Sequence, residues 1–178
     1  MRYNASADLL DRNLDAGRGG KTAFIDPARS LTYATLADGS RRFANALMRL
    51  GLRREERVAL LMTDTVDFPV AFLGAIRAGI VPIPLNTMLG PEQYAYMLSD
   101  SRARALVVSD VLYAAVEPAL AAAPDLAHVV VSGAKGIEGR AAFGDLVAAG
   151  SADFETAIAE GATHVRVGSA IFGARTTR

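Results

Sequence analysis

The sequence predicts an α/β fold in which a mostly parallel sheet carries helices on both faces. Three segments are nearly continuous apolar runs, as in strands buried on both faces: RVALLM (residues 57–62), ALVVS (residues 105–109) and HVVV (residues 128–131). Helical segments separate these runs, and strands joined through helices pair in parallel. Apolar residues make up 51% of the 178 residues and charged residues 21%, which is typical of a folded globular chain.

Capping residues and glycines set the bounds of the predicted helices. Asn4 and Thr32 can accept a hydrogen bond at a helix start, and Pro91 suits a first helical turn. Gly51 and Gly79 stand where a helix should end, because glycine readily adopts the left-handed conformation that stops one. The predicted helices are residues 4–15, 32–50, 66–78 and 91–101, with a fifth that ends near residue 123 and is kinked or split by Pro118.

Three further strands are predicted outside the buried runs. A turn at residues 26–27 separates a short strand at residues 22–25 from another at residues 31–33. Residues 80–83 return as a strand whose prolines limit the ladder that it can form. Residues 132–140, with three glycines, are the most linker-like stretch.

Composition argues against several kinds of partner and chemistry. Lys and Arg number 19, as do Asp and Glu, so we expect neither a nucleic acid nor an anionic membrane as partner. The chain has no cysteine, which excludes disulfides, thiolate zinc sites and cysteine nucleophiles. Its longest apolar stretch, residues 68–84, is broken by Gly, Arg and Pro and does not predict a membrane span, so we expect a cytoplasmic protein.

Few side chains stand out as candidates for catalysis or metal binding. Asp64 and Asp67 flank a predicted helix start, where carboxylates favour the helix dipole, and we interpret them as helix-start residues rather than a metal pair. His128 and His164 each begin a predicted strand without the partners that a catalytic histidine needs. A group of arginines in and after the second helix is interpreted as a solvated face: Arg41, Arg42, Arg49, Arg53 and Arg54.

Five ordered segments resemble the opening of acyl- and aryl-CoA ligases, which form adenylates. They are SLTYATL (residues 30–36), RRFANALMRLG (residues 41–51), ERVALLM (residues 56–62), AFLGAIRAGIVPIPLN (residues 71–86) and YAYMLSDSRARALVVS (residues 94–109). Two more, DLLDRNLDAGRGGKTAFID (residues 8–26) and TVDFPVAFLGAI (residues 65–76), resemble the benzoate-CoA ligase branch. The resemblance covers about residues 3–150, so residues 1–150 are expected to be the amino-terminal domain of such a ligase, truncated.

The resemblance implies a two-step reaction that uses ATP, Mg²⁺ and CoA. A carboxylate attacks the α-phosphate of ATP and releases pyrophosphate, and the CoA thiol then displaces AMP. Enzymes of this family hold the phosphates with a Ser/Thr/Gly-rich loop that ends in lysine. They also use an acidic residue for Mg²⁺ or ribose, and a lysine on a mobile carboxy-terminal domain.

None of these motifs occurs in the sequence, which contains only two lysines. Lys21 opens the first short strand, where the family has no catalytic residue. Lys135 lies in SGAKG (residues 132–136), which lacks the paired Ser/Thr and the following helix of a phosphate loop and is interpreted as an ordinary loop. We therefore assign no catalytic, cofactor-binding or metal-binding residue, expect no cofactor for this chain, and predict that it is catalytically incompetent alone.

Residues 151–178 are predicted to be a helix-strand tail of different origin. Their sequence resembles the end of YggS-type pyridoxal-phosphate homeostasis proteins. In those proteins this segment holds the phosphate of the cofactor, and the resemblance matches its phosphate-binding groups to Ser151, Arg166, Gly168 and Ser169. A barrel needs all its strands, and no lysine follows residue 135 to form a Schiff base, so bound pyridoxal phosphate is not expected. We hypothesise a chimera joined within residues 150–157.

Three hypotheses from different classes stay open. The chain is a non-catalytic ligase fragment, or part of a ligase whose activity needs a missing remainder or complementing chain, or an interaction module that self-associates through an exposed sheet edge. Truncation is expected to expose apolar helix faces such as residues 68–78 and to cause concentration-dependent oligomers. The substrate acid, and whether the tail joins the sheet, are left undecided.

Overall fold

The computed structural model describes residues 3–133 and 136–151. They form a five-stranded sheet of order β4-β3-β5-β6-β7, in which every neighbouring pair is parallel, and a separate antiparallel ribbon of β1 and β2. The predicted α/β fold with a mostly parallel sheet is confirmed. The strands are β1 (Thr22–Ile25), β2 (Ser30–Thr32), β3 (Arg57–Leu61), β4 (Val81–Pro84), β5 (Ala103–Ser109), β6 (His128–Ser132) and β7 (Ala141–Ala142).

Helices cover both faces of the sheet, as predicted. The α-helices are α1 (Ala5–Asp15), α2 (Tyr33–Arg49), α3 (Asp67–Arg77), α4 (Pro91–Ser101), α5 (Tyr113–Val116) and α6 (Phe143–Ala149). One apolar cluster joins the sheet to α1, α2, α3 and α6, and a second joins its other face to α4 and α5. Alternate residues of β3 divide between the clusters, Val58 and Leu60 in the first and Ala59 and Leu61 in the second, because successive side chains of a strand point to opposite faces.

The chain changes direction across the sheet at the boundary of β3 and β5. From β3 it passes through α3 to β4, on one side of β3, and then returns through α4 to β5 on the other side. After β5 it continues outward to β6 and β7. The carboxyl ends of β3 and β5 therefore flank a topological switch point, the place where open α/β sheets bind ligands.

Two elements were not predicted, the strand β7 and the helix α6. The linker-like residues 132–140 lead from β6 to β7 of the same sheet, which α6 then follows. The helix expected to end near residue 123 is split, as Pro118 indicated. It consists of a 3₁₀ turn (Asp110–Leu112), α5 and a second 3₁₀ segment (Glu117–Ala122) that contains Pro118.

The apolar face of α3 is not left open, so the expectation that residues 68–78 are exposed is wrong. Most side chains of α3 are buried, and α2 and α1 pack against it. Gly74 permits this close approach, since a Cβ at its position would lie 2.8 Å from the carbonyl oxygen of Ser40 in α2. Across the described part of the chain, every helix is too short or too polar to span a bilayer.

Candidate functional site

Polar residues gather at the carboxyl edge of the sheet, around the switch point. Thr63 follows β3 by two residues, and Ser109 is the last residue of β5. The backbone N–H of Thr63 donates to the hydroxyl of Ser109 at 3.0 Å, and the two hydroxyl oxygens lie 3.2 Å apart. The side chain of Ser109 thus links the loop after β3 to the end of β5, directly at the switch point.

A second link joins the next strand to the start of α3. The hydroxyl of Ser132, at the end of β6, donates to one carboxylate oxygen of Asp67 at 2.7 Å. The other oxygen of that carboxylate accepts a hydrogen bond from the guanidinium of Arg29, which lies before β2. Arg29 and Ser132 thus occupy both carboxylate oxygens of Asp67 and connect the residue before β2, the end of β6 and the start of α3.

Asp26 ties the ribbon turn to the same edge. One of its carboxylate oxygens accepts from the backbone N–H of Val66, at the start of α3, at 2.9 Å. The other accepts from the N–H groups of Ala28 and Arg29, each at 2.8 Å. The N–H of Val66, followed by that of Arg29, holds the pKa of Asp26 below its ordinary value of 3.8.

These groups surround an open crevice of about 540 Å³, a volume within the range of small-molecule sites. Its lining includes Thr63, Ser109, Ser132 and Gly133 at the strand ends, and Thr65. The hydroxyl of Thr65 is buried and has no hydrogen-bond partner among the described residues. Polar residues at the strand ends therefore make up much of the lining of the crevice.

The other residues that the sequence singled out lie away from the crevice or outside the described residues. Among residues 3–133 and 136–151, no group of three or more His, Asp and Glu side chains could hold a metal ion. Lys21 is exposed at the start of β1, and His128 begins β6, at the amino edge of the sheet away from the crevice. Lys135 and His164, and the predicted phosphate contacts Arg166, Gly168 and Ser169, lie outside the described residues.

The two aspartates around the start of α3 have different surroundings from those predicted. Asp64 is exposed, and no side chain from α3 itself caps the helix. Asp67 lies in the first turn, as expected for the dipole, but its carboxylate is occupied by Arg29 and Ser132. The N–H of Val66, the residue before α3, donates to the carboxylate of Asp26, 40 residues earlier in the chain.

The interpretation of the arginines as a solvated face fits Arg49, which is exposed, but Arg41 and Arg42 are half-buried. Arg41 pairs with Asp11 of α1 at 3.0 Å. Arg42 and Arg49 donate to the carbonyl oxygens of Gly150 and Ala149, at 2.9 Å and 2.8 Å. The amide of Asn45 donates to the carbonyl of Ser151 at 2.6 Å. The side chains of Arg42, Asn45 and Arg49 thus bind the carboxyl end of α6 to α2.

The sequence contained a signal for the crevice that was missed. A hydroxyl residue follows or ends each of the buried runs of β3, β5 and β6, at Thr63, Ser109 and Ser132. The carboxyl ends of parallel strands share one edge of the sheet, so these three hydroxyls had to lie near one another. No comparable local signal marks Asp26 or Arg29, whose role depends on where the ribbon lies.

The lowered pKa of Asp26 predicts that the folded chain loses stability at acidic pH. Its folded pKa is below the unfolded value, so its contribution is full above about pH 4 and is lost as the pH falls through the folded pKa. We expect Asp26→Asn to lower the melting temperature at pH 7, and the difference from the wild type to shrink as the pH is lowered below 4. Thermal unfolding followed by circular dichroism from pH 7 to pH 2 measures this, with Asp64→Asn as the exposed control. An unchanged difference across that range would contradict the assignment.

Comparison with known proteins gives one consistent result. The family model described as "AMP-binding enzyme" matches residues 10–158. A 4-hydroxybenzoate–CoA/benzoate–CoA ligase of Rhodopseudomonas palustris is 51% identical over 131 residues, which are 74% of this chain and 24% of that protein. A benzoate–CoA ligase of Thauera aromatica is 50% identical over 157 residues, 88% of this chain and 29% of that protein.

Solved structures show the same fold in longer proteins. An anthranilate CoA ligase, AuaEII, in complex with anthranoyl-AMP matches 88% of this chain with a TM-score of 0.83 at 34% identity, over 30% of its own length. A benzoate CoA ligase from Burkholderia xenovorans LB400 matches 84% of this chain with a TM-score of 0.76 at 42% identity, over 29% of its own length. The chain thus spans 24% to 30% of the length of these relatives.

Proposed function

Because the chain belongs to the AMP-binding enzyme family, we propose that residues 3–150 are the amino-terminal part of an aryl-CoA ligase of the benzoate type. The observation that carries the proposal is the 50% identity to a benzoate–CoA ligase over 157 residues. A long-chain-fatty-acid–CoA ligase of Escherichia coli reaches 33% over 108 residues, so the aryl branch is favoured. Such a ligase converts an aromatic carboxylate, ATP and CoA into an aryl-CoA, AMP and pyrophosphate.

Within that reaction, the described residues serve as scaffold and binding surface. The crevice at the carboxyl edge is lined by polar residues that include Thr63 and Ser109. Neither lysine of the sequence stands in a motif that would hold a triphosphate and stabilise the charge that develops during adenylation. We propose that the chain by itself does not adenylate an acid, and that ATP, Mg²⁺ and CoA belong to the complete ligase.

A graft tests whether residues 3–150 belong to the aryl branch. The aligned part of the Thauera aromatica benzoate–CoA ligase is replaced by residues 3–150 of this chain, and benzoyl-CoA formation is followed by chromatography. We expect the graft to make benzoyl-CoA, because the two segments are identical at half of their aligned positions.

Two controls make the graft informative. A matched graft carries the corresponding segment of the Escherichia coli long-chain-fatty-acid–CoA ligase, which is expected to support less activity on benzoate. A folded but inactive graft of residues 3–150, beside an active fatty-acid control, would contradict the assignment to the aryl branch.

The tail is proposed to have a different origin from residues 1–150. The family model match extends to residue 158, which includes the junction proposed at residues 150–157. Sequencing the coding DNA across and beyond this point tests the chimera, and an uninterrupted ligase-like frame on both sides would contradict it. The pyridoxal-phosphate interpretation of Arg166, Gly168 and Ser169, and self-association as an alternative function, stay predictions.

A further inference from the structure

We propose that the buried guanidinium of Arg77 binds a small monovalent anion, such as chloride, in a site enclosed by α1, α2 and α3. Arg77 lies in the last turn of α3. Because α3 runs from the carboxyl edge of the sheet back to its amino edge, this site is separate from the crevice. Anion binding there is independent of the proposed ligase function.

The first observation is that most hydrogen-bond donors of Arg77 have no acceptor. Its Nη2 donates to both carboxylate oxygens of Asp11, at 2.9 Å and 3.2 Å. Its Nε and Nη1 are buried and have no hydrogen-bond partner among the described residues. A guanidinium carries five N–H donors and accepts nothing, so the N–H groups on Nε and Nη1 still need an acceptor.

The second observation is a pair of buried hydroxyl groups beside the same end of α3. Ser6 of α1 and Ser40 of α2 are fully buried, and neither hydroxyl has a hydrogen-bond partner in the part of the chain that the structure describes. Ser6 follows Asn4 by two residues, and the amide of Asn4 donates at 2.9 Å to the backbone carbonyl of the residue before Arg77. The carbonyl of Ser40 abuts Gly74, which lies about one helical turn before Arg77. Three helices that pack together thus contribute unused donors.

The charge of this cluster favours an anion over a water molecule. The carboxylate of Asp11 is shared by two guanidinium groups, since it also pairs with Arg41 at 3.0 Å, which leaves one net positive charge. The carboxylates of Asp8 and Asp38 each pair with an arginine of their own helix instead. A buried charge is costly without a counter-charge. An anion supplies that counter-charge and accepts from every unused donor, whereas a water molecule must also find acceptors for its own hydrogens.

Burial limits the occupant to a small ion. Arg77, Ser6 and Ser40 are each at most 2% exposed, so a side chain of another molecule or a nucleotide cannot reach them. A divalent anion such as sulfate would reverse the charge of the cluster, whereas a halide neutralises it. Because only the folded chain encloses the site, halide binding should stabilise the folded state.

Thermal unfolding of the full chain at constant ionic strength tests the site. Sodium chloride replaces sodium gluconate, whose anion is too large for an enclosed site, and unfolding is followed by circular dichroism. We expect the melting temperature to rise by roughly 3–6 °C for each tenfold increase in chloride above the dissociation constant. Arg77→Met should abolish this dependence, and Arg41→Met should weaken it, because that change removes the excess positive charge. The control Arg12→Met, at a side chain that is 64% exposed, should keep it.

A bromide ion locates the site without requiring any variant to fold. In crystals of the full chain grown from sodium bromide, we expect an anomalous difference peak within hydrogen-bond distance of Nε or Nη1 of Arg77. A water molecule or a protein atom that accepts from these two nitrogens in place of bromide would overturn the proposal. The same chloride dependence of the melting temperature in Arg77→Met and in the wild type would overturn it as well.

Discussion

Replacing Asp11 with alanine is expected to lower the free energy of unfolding by about 3 kcal/mol. Arg77 of α3 is only 2% exposed, and its Nη2 donates to both carboxylate oxygens of Asp11, at 2.9 Å and 3.2 Å. The Nε and Nη1 of Arg77 have no other hydrogen-bond partner among the described residues. Alanine at position 11 would therefore leave a buried guanidinium without a counter-charge.

The matched change at Arg77 should lower the free energy of unfolding much less than Asp11→Ala does. Arg77→Met removes the buried charge and keeps an apolar chain of similar length in the core, which is often neutral for a buried ion pair. Asp11 would still pair with Arg41 at 3.0 Å, and its side chain is 35% exposed. The double variant Asp11→Ala/Arg77→Met should consequently be more stable than Asp11→Ala alone.

Urea unfolding of the four proteins in this cycle measures both effects. For a chain of this size, a loss of 3 kcal/mol also lowers the melting temperature by roughly 6–12 °C. If Asp11→Ala were no less stable than Arg77→Met, the ion pair would not be the contact that holds α1 against α3.

The second large effect is expected from one added methyl group at Gly74. A Cβ there would lie 2.8 Å from the carbonyl oxygen of Ser40 and 3.0 Å from the ring of Phe43, both in α2. Overpacking of this kind costs about 1–3 kcal/mol, which exceeds the gain of up to about 1 kcal/mol from alanine in a helix interior. We expect Gly74→Ala to destabilise the chain by about 1–2 kcal/mol.

Gly144 of α6 provides the matched control of opposite sign. Apart from its own helix, no described residue has an atom within 4 Å of the Cβ that alanine would add there, and the residue is helical. Gly144→Ala should therefore be neutral or stabilise the chain by about 0.5 kcal/mol, because glycine loses more backbone freedom on folding. Denaturant unfolding compares the two, and a stabilising Gly74→Ala would show that α2 and α3 do not approach as closely as described.

The sequence predicted the helices and strands well where capping residues or apolar runs within an element determine it. Asn4 accepts from the N–H of Ala7, and Thr32 forms a capping box with Thr35, so both predicted helix starts are confirmed. The buried runs became β3, β5 and β6 because continuous apolar strands need cover on both faces. The strand β7 was missed because two alanines carry no pattern, and only pairing with β6 makes them a strand.

The candidate site was less predictable, because its contacts join residues far apart in the chain. Asp26 and Val66 are 40 residues apart, and Arg29 and Asp67 are 38. Arg42 reaches the carbonyl of a residue 108 positions away, which no local pattern of charges indicates. The hydroxyls at the strand ends were predictable in principle, since the edge that they share follows from parallel pairing alone.

The most direct measurement is a search for an aryl-adenylate made by the purified chain. The chain alone is incubated with ATP, Mg²⁺ and benzoate, and benzoyl-AMP and pyrophosphate are sought by mass spectrometry and a coupled assay, with the Thauera aromatica ligase as positive control. We expect neither product, because both lysines of the sequence lie outside any motif able to hold a triphosphate. Benzoyl-AMP formed by the chain at a rate above the uncatalysed reaction would contradict this account.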